Sequence, residues 1–215
     1  MTQLGFFFDA DACMGCKACV VACKDVHNLP VGYKLRKVVT GEAGGWAIDA
    51  ASRLPQPVDV FSYSVSYSCM HCANPACRDV CPKGAVSKDA ETGIVAIEQE
   101  LCIGCGACAK ACPWHAPAVV PRIDGTRKSW KCDLCRDMLA ADEEPACVAA
   151  CSMRCLSVCE FGDDEGHRSS MIGEPLLADA PSLSPHFRLK PHRGLAAHPN
   201  AQVRIHSMPE EYNND

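Results

Sequence analysis

The chain has 215 residues, a formal net charge of −5 and 6% aromatic residues, so an ordinary large apolar core is not expected. No apolar stretch approaches the ~18 residues needed to span a bilayer, and the acidic balance argues against nucleic acid as a partner. Cysteine is the outlier, with 18 residues.

Taken in order, the first signal is Cys13-x2-Cys16-x2-Cys19-x3-Cys23. A stretch of 45 residues without cysteine follows. Within it, 34–39 reads as a strand broken by Gly41, Gly44 and Gly45. The alternation over 60–67 predicts a second strand. Run two is Cys69-x2-Cys72-x4-Cys77-x3-Cys81, then Pro82. Residues 85–88 and 94–97 flank Gly93 and predict a β-hairpin. Run three is Cys102-x2-Cys105-x2-Cys108-x3-Cys112, then Pro113. A second hairpin is expected from 118–123 and 127–130 around Asp124-Gly125. Run four is Cys132-x2-Cys135, then Cys147-x3-Cys151. Each third-to-fourth cysteine segment predicts a short helical turn, ended by Pro82 or Pro113 in runs two and three. Ser152 replaces that proline in run four, so the last helix is expected to run on through Cys155. Cys147, Cys151, Cys155 and Cys159 would then share one face. Cys155 competes in principle with Cys151 as a ligand, and Cys151 is favoured because it keeps the x3 gap of the other runs; Cys155 and Cys159 are then read as buried, inert thiols.

The C-x2-C-x2-C-x3-C-P run is the ligand pattern of bacterial ferredoxins. A cubane presents four irons at the corners of a tetrahedron. One tight loop wraps three corners, and the fourth cysteine reaches the other cluster of a pair. Gly15, Gly104 and Gly106 let the loop curl close to sulfur. Runs two and three, joined by a hairpin, form one ferredoxin-like unit, and runs one and four pair around it. The expected fold is α+β, with two nested bacterial-ferredoxin-like units, β-hairpin insertions and an extended C-terminal arm. The outer unit takes 1–68 and 114–161, the inserted unit 69–113 and the arm 162–215. Four [4Fe–4S] clusters are expected. Cys13, Cys16, Cys19 and Cys151 share one, and Cys23, Cys132, Cys135 and Cys147 a second. Cys69, Cys72, Cys77 and Cys112 share the third, and Cys81, Cys102, Cys105 and Cys108 the fourth.

Two other chemistries use cysteine at this density. A disulfide scaffold belongs to secreted proteins, and the only short apolar stretch near the N-terminus, 6–8, follows no basic residue and precedes no cleavage site. Zinc takes four ligands on one ion, which Cys132, Cys135, Cys147 and Cys151 could supply as a zinc ribbon. The three-cysteine cores of the other runs do not suit zinc.

Lys17, Lys24, Arg78, Lys83, Lys110, Lys131, Arg136 and Arg154 adjoin the runs, where a cation favours the reduced cluster. The segment after Cys159 carries six prolines and His167, His186, His192, His198 and His206. It reads as an arm that orders on a larger subunit, burying Phe187, Leu189 and Ile205 there, with its histidines in solvent or against the partner. No nucleophile–base set, carboxylate pair or phosphate loop is visible, so no catalytic residue is expected.

The motifs resemble a family. Gly5-Phe6-Phe7-Phe8-Asp9 ahead of Cys13-Met14-Gly15-Cys16, Ser68-Cys69-Met70-His71-Cys72, Cys102-Ile103-Gly104-Cys105, Lys131-Cys132-Asp133-Leu134-Cys135 and Leu189-Lys190-Pro191-His192 are similar to the iron–sulfur subunits of dimethyl sulfoxide reductase. The resemblance implies a non-catalytic electron-transfer subunit of a molybdenum-dependent complex, between a molybdopterin catalytic subunit and a membrane quinol-oxidising subunit. It implies a peripheral place on either side of the membrane, with export alongside the catalytic partner if outside. The run-one/run-four half would face the catalytic subunit, and the other half the membrane. Polysulfide, tetrathionate and formate complexes hold similar subunits, and a free-standing polyferredoxin is the rival role. Cys105 stands where some relatives carry tryptophan and a three-iron cluster, so four irons are expected there.

Overall fold

Alternation in Gln3-Leu4-Gly5-Phe6-Phe7-Phe8-Asp9 builds the first strand, β1 (Gln3–Asp9), which buries Phe6 and Phe8. The computed structural model describes residues 2–162 and 174–207. Run one leads into α1 (Ala18–Val26). A long ribbon follows, β2 (Lys37–Ile48) and β3 (Pro55–Tyr67), with Lys37 opposite Tyr67 and Ile48 opposite Pro55. Runs two and three flank α2 (Ala76–Asp79), the hairpin β4 (Val86–Lys88) and β5 (Val95–Ile97), and α3 (Ala107–Ala111). A second hairpin, β6 (Ala118–Pro121) and β7 (Arg127–Trp130), precedes α4 (Arg136–Ala140), α5 (Ala146–Ala149) and β8 (Leu156–Phe161). The arm contributes β9 (Phe187–Lys190), α6 (Arg193–Ala197) and β10 (Arg204–Ser207).

β1 is the centre of a three-stranded sheet, antiparallel to β8 and parallel to β9. Its inward face meets the buried strand residues Tyr63 and Val65 and the loop residues Met70 and Leu134 in one apolar cluster. Phe8 stacks on Phe187 at 6.4 Å between ring centroids. The core therefore lies beneath the cysteine loops and fixes them from below.

Three expectations are corrected here. The glycines at 41, 44 and 45 do not end β2. Gly44, at φ 82°, absorbs a bulge between Ala43 and Gly45, so the ladder resumes beyond it. The helix after Cys147 does not run on: α5 stops at Ala149, and Leu156–Phe161 extends as β8 because it pairs with β1. Cys147, Cys151, Cys155 and Cys159 thus share no helical face.

The described part of the arm packs on this protein's own core rather than awaiting a larger subunit. Phe187 is 1% and Leu189 3% exposed, since alternate residues of β9 face the core. The backbone of His186 donates to Met70 O (2.8 Å), Ala73 N to Ser184 O (2.9 Å) and Asn74 N to Leu183 O (3.1 Å). These bonds strap the arm across the loop of run two. Ile205 stays 47% exposed on β10, which pairs with β2. His186 is buried, His192 stacks on Tyr63 at 5.3 Å, and His198 Nδ1 lies 2.8 Å from Asp59 Oδ1. His167 and the arm segments 163–173 and 208–215 lie outside the described residues.

Candidate functional site: four cysteine sets

The fold gathers the four runs into four sets of thiols. Cys69, Cys72 and Cys77 line one cavity with Cys112. Cys102, Cys105 and Cys108 line another with Cys81. Cys13, Cys16 and Cys19 line a third with Cys151 and with Cys155, whose Sγ is 3.5 Å from that of Cys151. Cys132, Cys135 and Cys147 bear on the thiol of Cys23. Each of these three cavities is lined by four or five thiols. A single ion would instead draw its sulfurs to about 2.3 Å from one point. The zinc ribbon of Cys132, Cys135, Cys147 and Cys151 is not assembled, because Cys151 stands in the cavity of run one.

One local geometry recurs in every run. The residue two after the first cysteine takes a left-handed backbone: Gly15 (φ 70°), His71 (φ 43°), Gly104 (φ 68°) and Leu134 (φ 60°). Its N–H then turns inward onto the first cysteine's sulfur, at 3.4, 3.5, 3.4 and 3.5 Å respectively. Two of these positions are not glycine, and a left-handed non-glycine residue costs roughly 1–3 kcal/mol. Burial holds them there: both His71 and Leu134 are 0% exposed. His71 Nδ1 also accepts the N–H of Val95 at 3.0 Å, which ties the loop to β5. Fourth cysteines are met similarly, Cys81 by Ala85 N–H at 3.2 Å and Cys112 by Ala116 N–H at 3.5 Å.

The 4Fe–4S dicluster domain family matches residues 60–161, and a 4Fe–4S binding domain family matches residues 4–25. The protein is 39% identical over 204 residues to the B subunit of anaerobic dimethyl sulfoxide reductase of Escherichia coli, covering 94% of this protein and 92% of that one. It is 36% identical over 197 residues to the B subunit of the Haemophilus influenzae reductase, covering 90% and 91%. The protein belongs to the family of dimethyl sulfoxide reductase B subunits. It is an iron–sulfur electron-transfer subunit of that type. Protein NrfC of Escherichia coli is a further relative, 34% identical over 171 residues that cover 79% of this protein and 71% of NrfC. Among the described residues, no helix of this dimethyl sulfoxide reductase family member is long and apolar enough to cross a membrane.

Electrostatics orders the four sets. Cys19 is raised by Cys147, Cys132 by Cys69, and Cys77 by Cys108, in each case after burial. Each set thus feels the charge of the next, from Cys19 through Cys132 and Cys69 to Cys108. At the two ends, Cys16 and Cys105 are exposed, beside the exposed Met14 and Ile103. Burial and neighbouring thiols push Cys77 and Cys132 up to about 12, and Cys23 and Cys72 higher still. These four raised thiols stay protonated when free of metal, so iron uptake by them releases protons and is coupled to folding.

Of the cations adjoining the runs, only Lys131 is buried, at 5% exposure. Its Nζ lies 3.4 Å from Cys69 Sγ and donates to the carbonyls of Val95 and Cys132. Two groups escaped the sequence reading. His27 Nε2 stands 4.0 Å from Cys135 Sγ, and its run-one neighbourhood gave no metal-like spacing. Arg36, one of three basic residues among 34–37, turns inward and is 1% exposed. An inward arginine inside a basic stretch leaves no trace in periodicity.

Proposed function

We propose that this protein relays electrons between a membrane quinol-oxidising subunit and a molybdopterin catalytic subunit that reduces dimethyl sulfoxide. Four [4Fe–4S] clusters supply one-electron redox chemistry when bound. Their ligands are Cys13, Cys16, Cys19 and Cys151; Cys23, Cys132, Cys135 and Cys147; Cys69, Cys72, Cys77 and Cys112; and Cys81, Cys102, Cys105 and Cys108. The observation that carries this reading is the gathering of thiols from different runs around three shared cavities, with Cys16 and Cys105 exposed. A conductor needs two accessible ends and a dry interior, and the cysteines between those ends are mostly buried.

The protein's own groups do three things for such a relay. The inward N–H groups of Gly15, His71, Gly104 and Leu134 stabilise thiolate charge and pre-shape each loop. The apolar floor of Phe8, Met70 and Leu134 excludes water beneath the loops. In this reading, the pairing of β1 with β8 would close an outer unit, 1–68 and 114–161, around an inserted unit, 69–113. No catalytic residue is assigned. The Cys16 end would dock on the catalytic subunit and the Cys105 end on the membrane subunit, with the complex peripheral to the bilayer.

The test uses the complex purified anaerobically. A soluble quinol is expected to bleach its visible iron–sulfur absorption, and dimethyl sulfoxide to restore it at a rate matching turnover. Bleaching with no recovery on any sulfoxide would reject dimethyl sulfoxide-type substrates. No bleaching by quinol or by dithionite would reject electron transfer itself.

A further inference from the structure

Arg36 is the most buried of the described lysine, arginine, aspartate and glutamate side chains, at 1% exposure. Among the described residues no carboxylate pairs with it. Its Nη1 donates to Ser66 Oγ and its Nη2 to Ser68 Oγ, both at 3.2 Å. Nε has no partner among the described residues, and Cζ lies 4.3 Å over the ring of Phe6. A charge taken out of water without an opposite charge costs several kcal/mol, and a guanidinium does not escape by losing its proton. Two serine hydroxyls and an aromatic face do not neutralise it.

The opposite charge lies one hydroxyl away. Ser66 Oγ is 3.3 Å from Cys19 Sγ, and Ser66 lines the cavity of Cys13, Cys16, Cys19 and Cys151. With Nη1 donating to Ser66, the serine proton is free to point at the sulfur. The thiols of Cys147, Cys132 and Cys23 also act on the guanidinium, from the adjoining set. Arg36 thus stands where the first two sets meet.

We infer that Arg36 is the fixed counter-ion shared by the Cys13/Cys16/Cys19/Cys151 and Cys23/Cys132/Cys135/Cys147 sets, and that Ser66 relays its pull to Cys19. This rests on the cluster reading above. Each one-electron reduction adds a negative charge, breaks no bond and needs no proton, because the guanidinium already offsets that charge. The consequence is a higher reduction potential for these two sets than the same loops would give alone.

The test is a potentiometric titration of the complex, followed by electron paramagnetic resonance, with iron measured in parallel. Arg36→Met is expected to shift two clusters to more negative potential and leave the other two unmoved. Arg36→Lys, which keeps the charge, is expected to move them less than Arg36→Met. Ser66→Ala, with the guanidinium in place, is expected to lower one cluster only. Full iron with unmoved potentials in Arg36→Met overturns the assignment and leaves the cluster reading standing. Should Arg36→Met lose its clusters, Ser66→Ala decides: one lowered potential supports the relay, and none overturns it. An iron-free wild-type complex would sink the cluster reading itself.

Discussion

The Sγ of Cys155 lies 3.5 Å from the Sγ of Cys151, so a fifth thiol stands in the cavity of run one. Burial raises the Cys155 thiol, while backbone N–H groups and Cys155 itself lower Cys151. Either sulfur of the pair can donate to the other, and the x3 gap shared with the other runs makes Cys151 the expected cluster ligand. Cys151→Ser is expected to disturb the cluster of Cys13, Cys16 and Cys19, and Cys23→Ser the cluster of Cys132, Cys135 and Cys147. Cys155→Ala should keep full iron. Resolved redox titrations of the three variants check this. Damage confined to each fourth cysteine's own run would contradict the cross-pairing.

Gly104 and Gly125 separate strain from packing. Both have positive φ, 68° and 80°. A Cβ on Gly104 would fall 2.2 Å from the carbonyl oxygen of Arg127, whereas one on Gly125 meets nothing within 4 Å. Gly125→Ala should cost about 1 kcal/mol from φ alone, and Gly104→Ala clearly more. Gly104→Ala should also dislodge β7, whose Ser129 N–H contacts Cys102 Sγ at 3.3 Å. Thermal unfolding with iron analysis tests the contrast. Equal losses at both positions would refute it.

Phe187 closes the sheet over β1 from within the arm. Phe187→Ala is expected to cost about 3–5 kcal/mol. A chain ending at Gly162 removes β9 and the bonds to the run-two loop, so it should lose iron from the Cys69 set. A shortened protein that stays fully loaded would mean the arm serves assembly alone.

Glu174 is buried and accepts the hydroxyl of Tyr63 at 2.6 Å, while its other oxygen has no partner among the described residues. Burial raises its carboxyl above the usual range. The neutral form suits the fold, so this contribution is full below about pH 4 and declines as pH rises through the raised value. Glu174→Gln keeps an acceptor without the charge. Its melting temperature should exceed the wild type at neutral pH, with the gap closing in acid. A gap independent of pH would exclude burial of the charge as the cause.

Much of this was legible in the sequence, because cysteine spacing encodes a loop directly. The hairpins at 86–97 and 118–130 also showed in their turn residues. What stayed hidden depends on tertiary partners. β2 passes through its glycines because β3 supplies a ladder for them. Leu134 and His71 hold left-handed backbones because both side chains are fully buried by distant parts of the fold. Cys155 precedes a strand because β1 is waiting to pair with it.

The central claim is that all sixteen run cysteines hold clusters together. Iron and acid-labile sulfide, counted per molecule on anaerobically purified protein, test it most directly. The account predicts about sixteen of each, four per cluster. Zinc in place of iron, or a count near twelve, would contradict it.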